Sequence, residues 1–418
     1  MQAVNRPMRG SVLTPRGIAT LLSLVASNVY AQPPRAAQPR LAIVNVAVID
    51  ATGSEVQHHK TVLIAGDHID AIVDAKAPVP KGSRVIRGDG RFLIPGLWDM
   101  HVHLTERDLP ILVAYGVTGV RDMGNVLADV DVWRGKIAAG GVVGPHILRV
   151  GPILNGMEYG PVQLAIENEV QARTAVRALK KAGVDAIKVH LALPCDAYFA
   201  LADEAKKQSI PFVGHVPQSV TPLEASNAGQ ASLEHIQTIF EGQSPPKPDS
   251  EPQLFAAFAK NGTAYDPTLV AYRGSTEPQN VDPELLRKYP DLIAGRKQFF
   301  ARFLELVGMM NREHVTLLAG TDLSTNFKWV SPGASLHDEL ELLVAAGLSP
   351  MEALQTATRN PGRFLHIDAG TIDVGKRADL VLLDANPLDD IHNTRKIRAV
   401  VLDGKLLDRS RLDSLKRR

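Results

Sequence analysis

Two histidines separated by one residue, His101-Val102-His103, close an apolar run that begins at Leu93. In an extended strand, residues i and i+2 point to one face. Both imidazoles can therefore aim at one point from a single rigid element. Neutral imidazole is a ligand for zinc and its neighbours, and a zinc site needs at least three protein ligands. The pair is thus either the start of a metal site completed from elsewhere or two exposed loop histidines. This run alone leaves both open.

Four further segments have the same form, a short apolar strand ending in a polar residue suited to metal. They are residues 184–190, with Lys188 and His190; 210–215, ending in His215; 231–235, ending in His235; and 315–322, ending in Asp322. Helical patterns lie between several of them. Residues 169–182, for example, carry Val170, Ala172, Ala175, Val176 and Leu179. Strands alternating with helices predict an α/β fold with a parallel sheet. Reactive groups at the C-terminal strand ends predict a (β/α)8 TIM-like barrel.

The ordered set of His-x-His, lysine, histidine, histidine and aspartate resembles the amidohydrolase superfamily. The likeness is to its imidazolonepropionase-like and prolidase-like members, which include peptidic amide hydrolases and ochratoxin-degrading enzymes. Residues 93–104 match the family's first barrel strand, 116–122 its second and 370–384 its C-terminal signature. The resemblance covers residues 41–407. It implies a small β-sandwich built from both chain ends, 41–94 and 365–412, flanking a barrel at 95–364. Residues 41–48, a hairpin around Gly66-Asp67, and strands near 379–383 and 399–402 with a turn at Asp403-Gly404 supply its strands.

The resemblance also implies a ligand set. His101, His103 and Asp322 hold one divalent metal, His215 and His235 hold a second, and zinc is the expected ion. Lys188, carboxylated by CO₂, bridges the two, because a protonated amine would repel both cations. A hydroxide between the metals attacks an amide or peptide carbonyl, and Asp322 shuttles its proton to the leaving nitrogen. The substrate is expected to be an N-acyl amino acid or dipeptide-like amide, including ochratoxin-type amides. Arg273 or Arg121 would meet its carboxylate. Tyr272 and Trp329 would wall the pocket. His190 and His337 would orient groups around the metals. The chain departs from prolidase-like relatives in having Val216-Pro217-Gln218 after His215, where they carry tyrosine, and Leu154-Asn155-Gly156-Met157 where they carry histidine.

Other readings share the residues. A lactonase or cyclic-amide hydrolase would use the same metals. A mononuclear deaminase would lack Lys188 and carry glutamate where Gln218 stands. A binding protein that had lost catalysis need not keep all six residues.

Composition sets further limits. With 45% hydrophobic and 22% charged residues and a formal net charge of +1, the chain reads as globular, and nucleic acid is not an expected partner. Residues 1–31 carry Arg6, Arg9 and Arg16, no acid, and an apolar run too short to span a bilayer. They read as a secretory signal peptide, followed by a Pro/Ala-rich linker at 32–40. The expected location is a bacterial periplasm, with no membrane association after processing and a homo-oligomeric assembly. One cysteine, Cys195, permits no internal disulfide. Loops at 242–249 and 324–334 fall on the catalytic side and could cover substrate. His58, His59, His68, His146, His314, His366 and His392 lie away from C-terminal strand ends and are expected to be structural or on the surface.

Overall fold

The structure, a computed structural model, describes residues 40–158, 160–240 and 251–417. The expected leader, nearly all of the linker and the 242–249 loop lie outside the described residues.

Both chain ends enter one sheet. Its strands run in the order Lys405–Asp408, Ile397–Leu402, Leu380–Leu383, Phe92–Pro95, Arg40–Val48, Gln57–Ala65 and His68–Asp74, with Arg84–Arg87 paired to Arg40–Val48 off that path. The join between the ends is antiparallel, Leu382 opposite Leu93. Alternation places Leu41, Ile43, Val46 and Val48 in one apolar core with Val62, Ile64, Leu380, Leu382 and Val401. The odd step from Ile43 to Val46 is a bulge. Asn45 takes φ 54°, and the register with Gln57–Ala65 shifts there. The expected hairpin is present, with Gly66 at φ 63° and Ala65 opposite His68. So is the Asp403-Gly404 turn, where both residues adopt positive φ as a two-residue type I′ turn requires.

The remaining strands are parallel. Leu97–Val102, Val117–Asp122 and His146–Arg149 pair in order, as do Ile153–Asn155, Ile187–Val189, Phe212–Gly214, Ser232–Glu234 and Ala264–Asp266. The amide of Asp185 donates to Arg149 O at 2.8 Å and so links the two groups. Residues 315–323 complete the succession: Tyr265 bridges Leu317, Val102 bridges Leu323, and Met100 N donates to Ala319 O at 2.9 Å. Helices lie between successive strands, among them Glu169–Lys181, Cys195–Lys207 and the long Leu292–Arg312. The first is capped by Asn168 and buries Ala172, Val176 and Leu179. Val170, expected on that face, is 75% exposed. It sits two residues before Ala172, about 200° around the helix, which turns it to solvent. Among the described residues no helix is long and apolar enough to cross a membrane.

Candidate metal centre

The C-terminal ends of the parallel strands bring the expected residues together. The Leu97–Val102 strand delivers His101 with its Nε2 at 3.7 Å from Asp322 Oδ1, and His103 follows with Nε2 at 3.6 Å from the same oxygen. His235 Nδ1 stands 3.7 Å from Asp322 Oδ2. The His235 ring lies 4.5 Å from those of both His101 and His215, centroid to centroid. Lys188 Nζ is 3.1 Å from His101 Nε2.

Backbone strain helps to aim these groups. His235, Thr268 and Asp322 adopt φ of 69°, 47° and 53°, a region that costs side-chain-bearing residues energy and persists where the surroundings enforce it. Asp322 N donates to His101 O and His235 N to Asp266 O, which fixes both turns. Gly320 permits the close approach of the last strand to the first, since a Cβ there would sit 2.7 Å from that of His101.

Hydrogen bonds assign the imidazole lone pairs. His101 Nδ1–H donates to Glu234 Oε2 at 3.0 Å and His103 Nδ1–H to Gly124 O at 3.2 Å. Each therefore presents a bare Nε2 to the Asp322 side, the arrangement in which an outer acceptor fixes a metal-ligating histidine. His235 Nδ1 pairs with Thr268 Oγ1 at 2.9 Å. His215 Nδ1 is buried without a partner among the described residues. Burial is the first cause holding all four imidazoles below their usual range, His103 at about 4, and the Lys188 charge adds to it. They are neutral and able to ligate.

Lys188 is 1% exposed, and no carboxylate oxygen among the described residues lies within 4 Å of its amine. Burial lowers its pKa to about 8, against the pull of Glu234 and Asp322. Burial raises Asp322 to about 7, with Lys188 opposing. A neutral-imidazole cluster, an orphaned His215 nitrogen and a carboxylate between them form a donor set that fits divalent transition metal. His101, His103 and Asp322 offer ligand atoms within 4.8 Å of one another.

Several functional neighbours escaped the sequence reading. Asp99 accepts from Thr321 N at 3.0 Å and from the Thr321 hydroxyl at 2.7 Å, and it also receives His101 N at 3.3 Å. It ties the strand bearing His101 to the segment bearing Asp322. Its signal was its place two residues before His101, on the same strand face. Glu234 accepts from Arg121 at 2.8 and 2.9 Å, from Ser232 Oγ and from His101. Glu339 is fully buried and accepts from Leu269 N and Val270 N, just beyond Thr268. Asp266 is buried beside Glu234 with neither carboxylate oxygen hydrogen-bonded among the described residues, and burial raises its pKa well above the usual range.

The proposed substrate contacts divide. Arg121 is 1% exposed, and its guanidinium is spent on Met100 O, Ser232 and Glu234, so it lies beneath the cluster and not in the path of a substrate carboxylate. His337 gives its ring nitrogens to Thr394 Oγ1 and Tyr115 O, at 2.9 and 3.0 Å. Tyr115 precedes the Val117–Asp122 strand, so this histidine is held at the opposite strand ends from the metal ligands. His190 does reach the cluster, its ring 4.2 Å from His215 and its buried Nδ1 without a partner among the described residues. Arg273 is partly exposed, 3.6 Å from Asp338. Tyr272 packs edge-on against Phe303, and Trp329 Nε1–H donates to Ala271 O at 3.1 Å. Trp329 thus clamps the short Leu269–Arg273 helix, so this part of the 324–334 loop is packed against the protein.

Residues 92–407 match the model of the amidohydrolase family. An ochratoxinase from Aspergillus niger is 24% identical, over 81% of this chain and 80% of its own. Among solved structures, one described as a putative prolidase from Bifidobacterium longum superposes with a TM-score of 0.75 at 26% identity, covering 91% of this chain and 99% of that one. A Xaa-Pro dipeptidase with bound methionine superposes at 0.73 and 21% identity, covering 88% and 100%. With the match spanning most of its length, this chain belongs to the amidohydrolase family and is a hydrolase of amide carbon–nitrogen bonds.

Proposed function

We propose that the chain is an exported binuclear metal-dependent amidohydrolase that cleaves the amide joining an acyl group to an amino acid with a free carboxylate. The observation that carries this reading is the convergence of His101 and His103 Nε2 on Asp322, beside a buried lysine with no carboxylate oxygen within 4 Å among the described residues. His101, His103 and Asp322 would hold one cation and His215 and His235 the other, zinc by donor type. When bound, such ions supply Lewis acidity to a carbonyl and acidify water.

The chain's own groups account for the rest. A lysine at about pKa 8 is substantially neutral in mildly alkaline solution. Its nitrogen adds to CO₂, loses a proton and becomes an anionic carbamate, which replaces a repelling cation between two sites. Asp322 takes a proton from the attacking water and delivers it to the leaving nitrogen, giving a carboxylate and an ammonium product. Glu234 and Gly124 O hold His101 and His103 in the ligating tautomer. Arg273, on the helix that starts beside Thr268, is the proposed partner of the substrate carboxylate, with Tyr272 and Trp329 near it. Support for an amide next to a free amino acid comes from relatives named for ochratoxin and Xaa-Pro hydrolysis.

Three organisational points belong to the same reading. With His146–Arg149 and Ile153–Asn155 counted as one interrupted strand, the parallel strands form a closed eight-stranded barrel at about 95–364, supported by the bonds from Asp185 to Arg149 and from Val102 to Leu323. The two-ended sheet is the sandwich domain of 41–94 and 365–412. Residues 1–31 direct export to a periplasm, on the strength of their charge and apolar pattern.

The test is elemental analysis of protein produced with bicarbonate, paired with kcat/KM for an N-acyl aromatic amino acid and for its C-terminal amide. About two metals per chain and a preference of at least tenfold for the free acid are expected. One metal or fewer in active protein would end the binuclear reading, and equal rates would end the carboxylate assignment.

A further inference from the structure

A second chamber lies at the other end of the parallel strands, with a volume of about 1230 Å³. Asp185, Pro211, Ala231, Ala264 and Val315 border it, residues at or just before the starts of strands whose far ends carry the metal ligands. Its deep wall is apolar: Leu148, Val150, Val213, Leu317 and Phe364. Phe364 touches two apolar clusters, one with Met123, Val150, Ala186 and Val213 and one with Trp98, Met100, Ala264 and Leu318. The chamber reaches Arg121, whose guanidinium lies 5.5 Å from the Phe364 ring centroid.

The charge around this chamber is unbalanced. Arg312, Arg359 and Arg363 line it. Among the described residues Arg359 donates only to neutral acceptors, Thr52 O at 3.0 Å and Asn360 Oδ1 at 3.3 Å. The Arg312 and Arg363 side chains have neither a hydrogen bond nor an acidic oxygen within 4 Å among the described residues. Arg359 and Arg363 stand one turn apart on the Arg359–Phe364 helix, and burial together with the Arg363 charge depresses the Arg359 pKa. The two acids that border the chamber are used elsewhere. Asp185 accepts from Arg149 N at 2.8 Å, and Glu352 closes the capping box at Ser349 and receives Asn311. His314 and His366 add no negative charge.

Two arginines one turn apart on a single helix, with no acidic oxygen within 4 Å among the described residues, leave positive charge unanswered at the chamber mouth, and a planar carboxylate is the group that guanidinium fork geometry fits. Beside them lies a chamber with an apolar deep wall, larger than most small-molecule pockets, which bare phosphate would not fill. We propose that this chamber is a ligand site for an amphipathic monocarboxylate, its acyl chain or ring against the strand ends and its carboxylate on Arg359 and Arg363, with Arg312 beside them. The site is separate from the metal centre and does not depend on the reaction proposed there.

Calorimetric titration of the full-length, metal-loaded protein with decanoate, decanol and inorganic phosphate tests this. Decanoate should bind at one per chain, and decanol and phosphate at least tenfold more weakly. The double variant Arg359→Gln/Arg363→Gln should weaken decanoate at least tenfold and leave amide turnover unchanged. Ala231→Leu, which intrudes on the floor, should weaken decanoate and decanol alike. Circular dichroism and melting temperature check the fold, and Ala231→Leu carries the test if the double variant does not fold. Absence of decanoate binding, decanoate affinity unchanged in the folded variants, or phosphate binding as tight as decanoate would each overturn the proposal.

Discussion

The two ends of the parallel strands handle charge in opposite ways. At the C-terminal ends, charged and polar groups crowd together and largely answer one another. Arg121 meets Glu234, Glu234 meets His101, and Asp322 faces three histidines. At the N-terminal ends, Arg312, Arg359 and Arg363 border a chamber with an apolar deep wall, and none of the three has an acidic oxygen within 4 Å among the described residues. The first arrangement is costly to build and is stabilised by its internal partners, so removing one partner leaves another buried and unmatched. The second carries a surplus charge in contact with solvent, so removing a cation relieves repulsion. One end is therefore expected to be intolerant of conservative change and the other indifferent to it until a ligand arrives.

The sharpest way to break that contrast is at Lys188. Lys188→Ala removes the proposed bridge, and activity should fall close to background with loss of at least one metal. Short carboxylic acids should restore part of the rate. Near-full metal content and rate in this variant would refute the carbamate. Next is Asp322→Asn, which keeps size and shape but not the base. Its kcat should drop on the order of 10²–10⁴-fold with metal still bound, and a loss below about tenfold would assign the proton transfer elsewhere. Glu234→Gln comes third. It weakens the acceptor that fixes His101, and metal affinity should fall by about 10–100-fold, read by competition with a chelator. The smallest effect belongs to the opposite end. Arg363→Gln should shift unfolding free energy by no more than about 0.5 kcal/mol in denaturant titration. A large destabilisation there would mean that the arginine has a structural partner and that the contrast fails.

Much of this contrast was readable in the sequence at one end only. His101, His103, Lys188, His215, His235 and Asp322 each stand at or near the end of a short apolar run, and period-2 alternation with strand–helix succession is enough to gather them. Arg121 lies within the second strand and not after it, and its partner is Glu234 and not a substrate carboxylate. Whether an arginine faces solvent or Glu234 depends on a contact across 113 residues, which local pattern does not encode. His337 failed for the same reason, since its partners Tyr115 and Thr394 come from distant segments. Asp99 was hidden in plain view, because an acid inside an apolar strand reads as an exception until Thr321 is seen to satisfy it. The arginine-lined chamber had no sequence signature. Arg312 and Arg363 are ordinary helix-end cations, and only the packing of the Arg359–Phe364 helix beneath the strands brings them to one cavity.

The sheet shared by both termini also sets a timetable. Arg91 bonds Asp384 across 293 residues of chain, and Phe92–Pro95, paired on one edge with Arg40–Val48, meets the partner of its other edge in Leu380–Leu383. On a ribosome the early strands must wait, one edge unpaired, until nearly the whole polypeptide has been made. Loop-closure entropy and high contact order make such a pairing a late event. The last strands would then act as a latch, and a chain shortened before Leu380 would leave an open edge able to pair with another molecule.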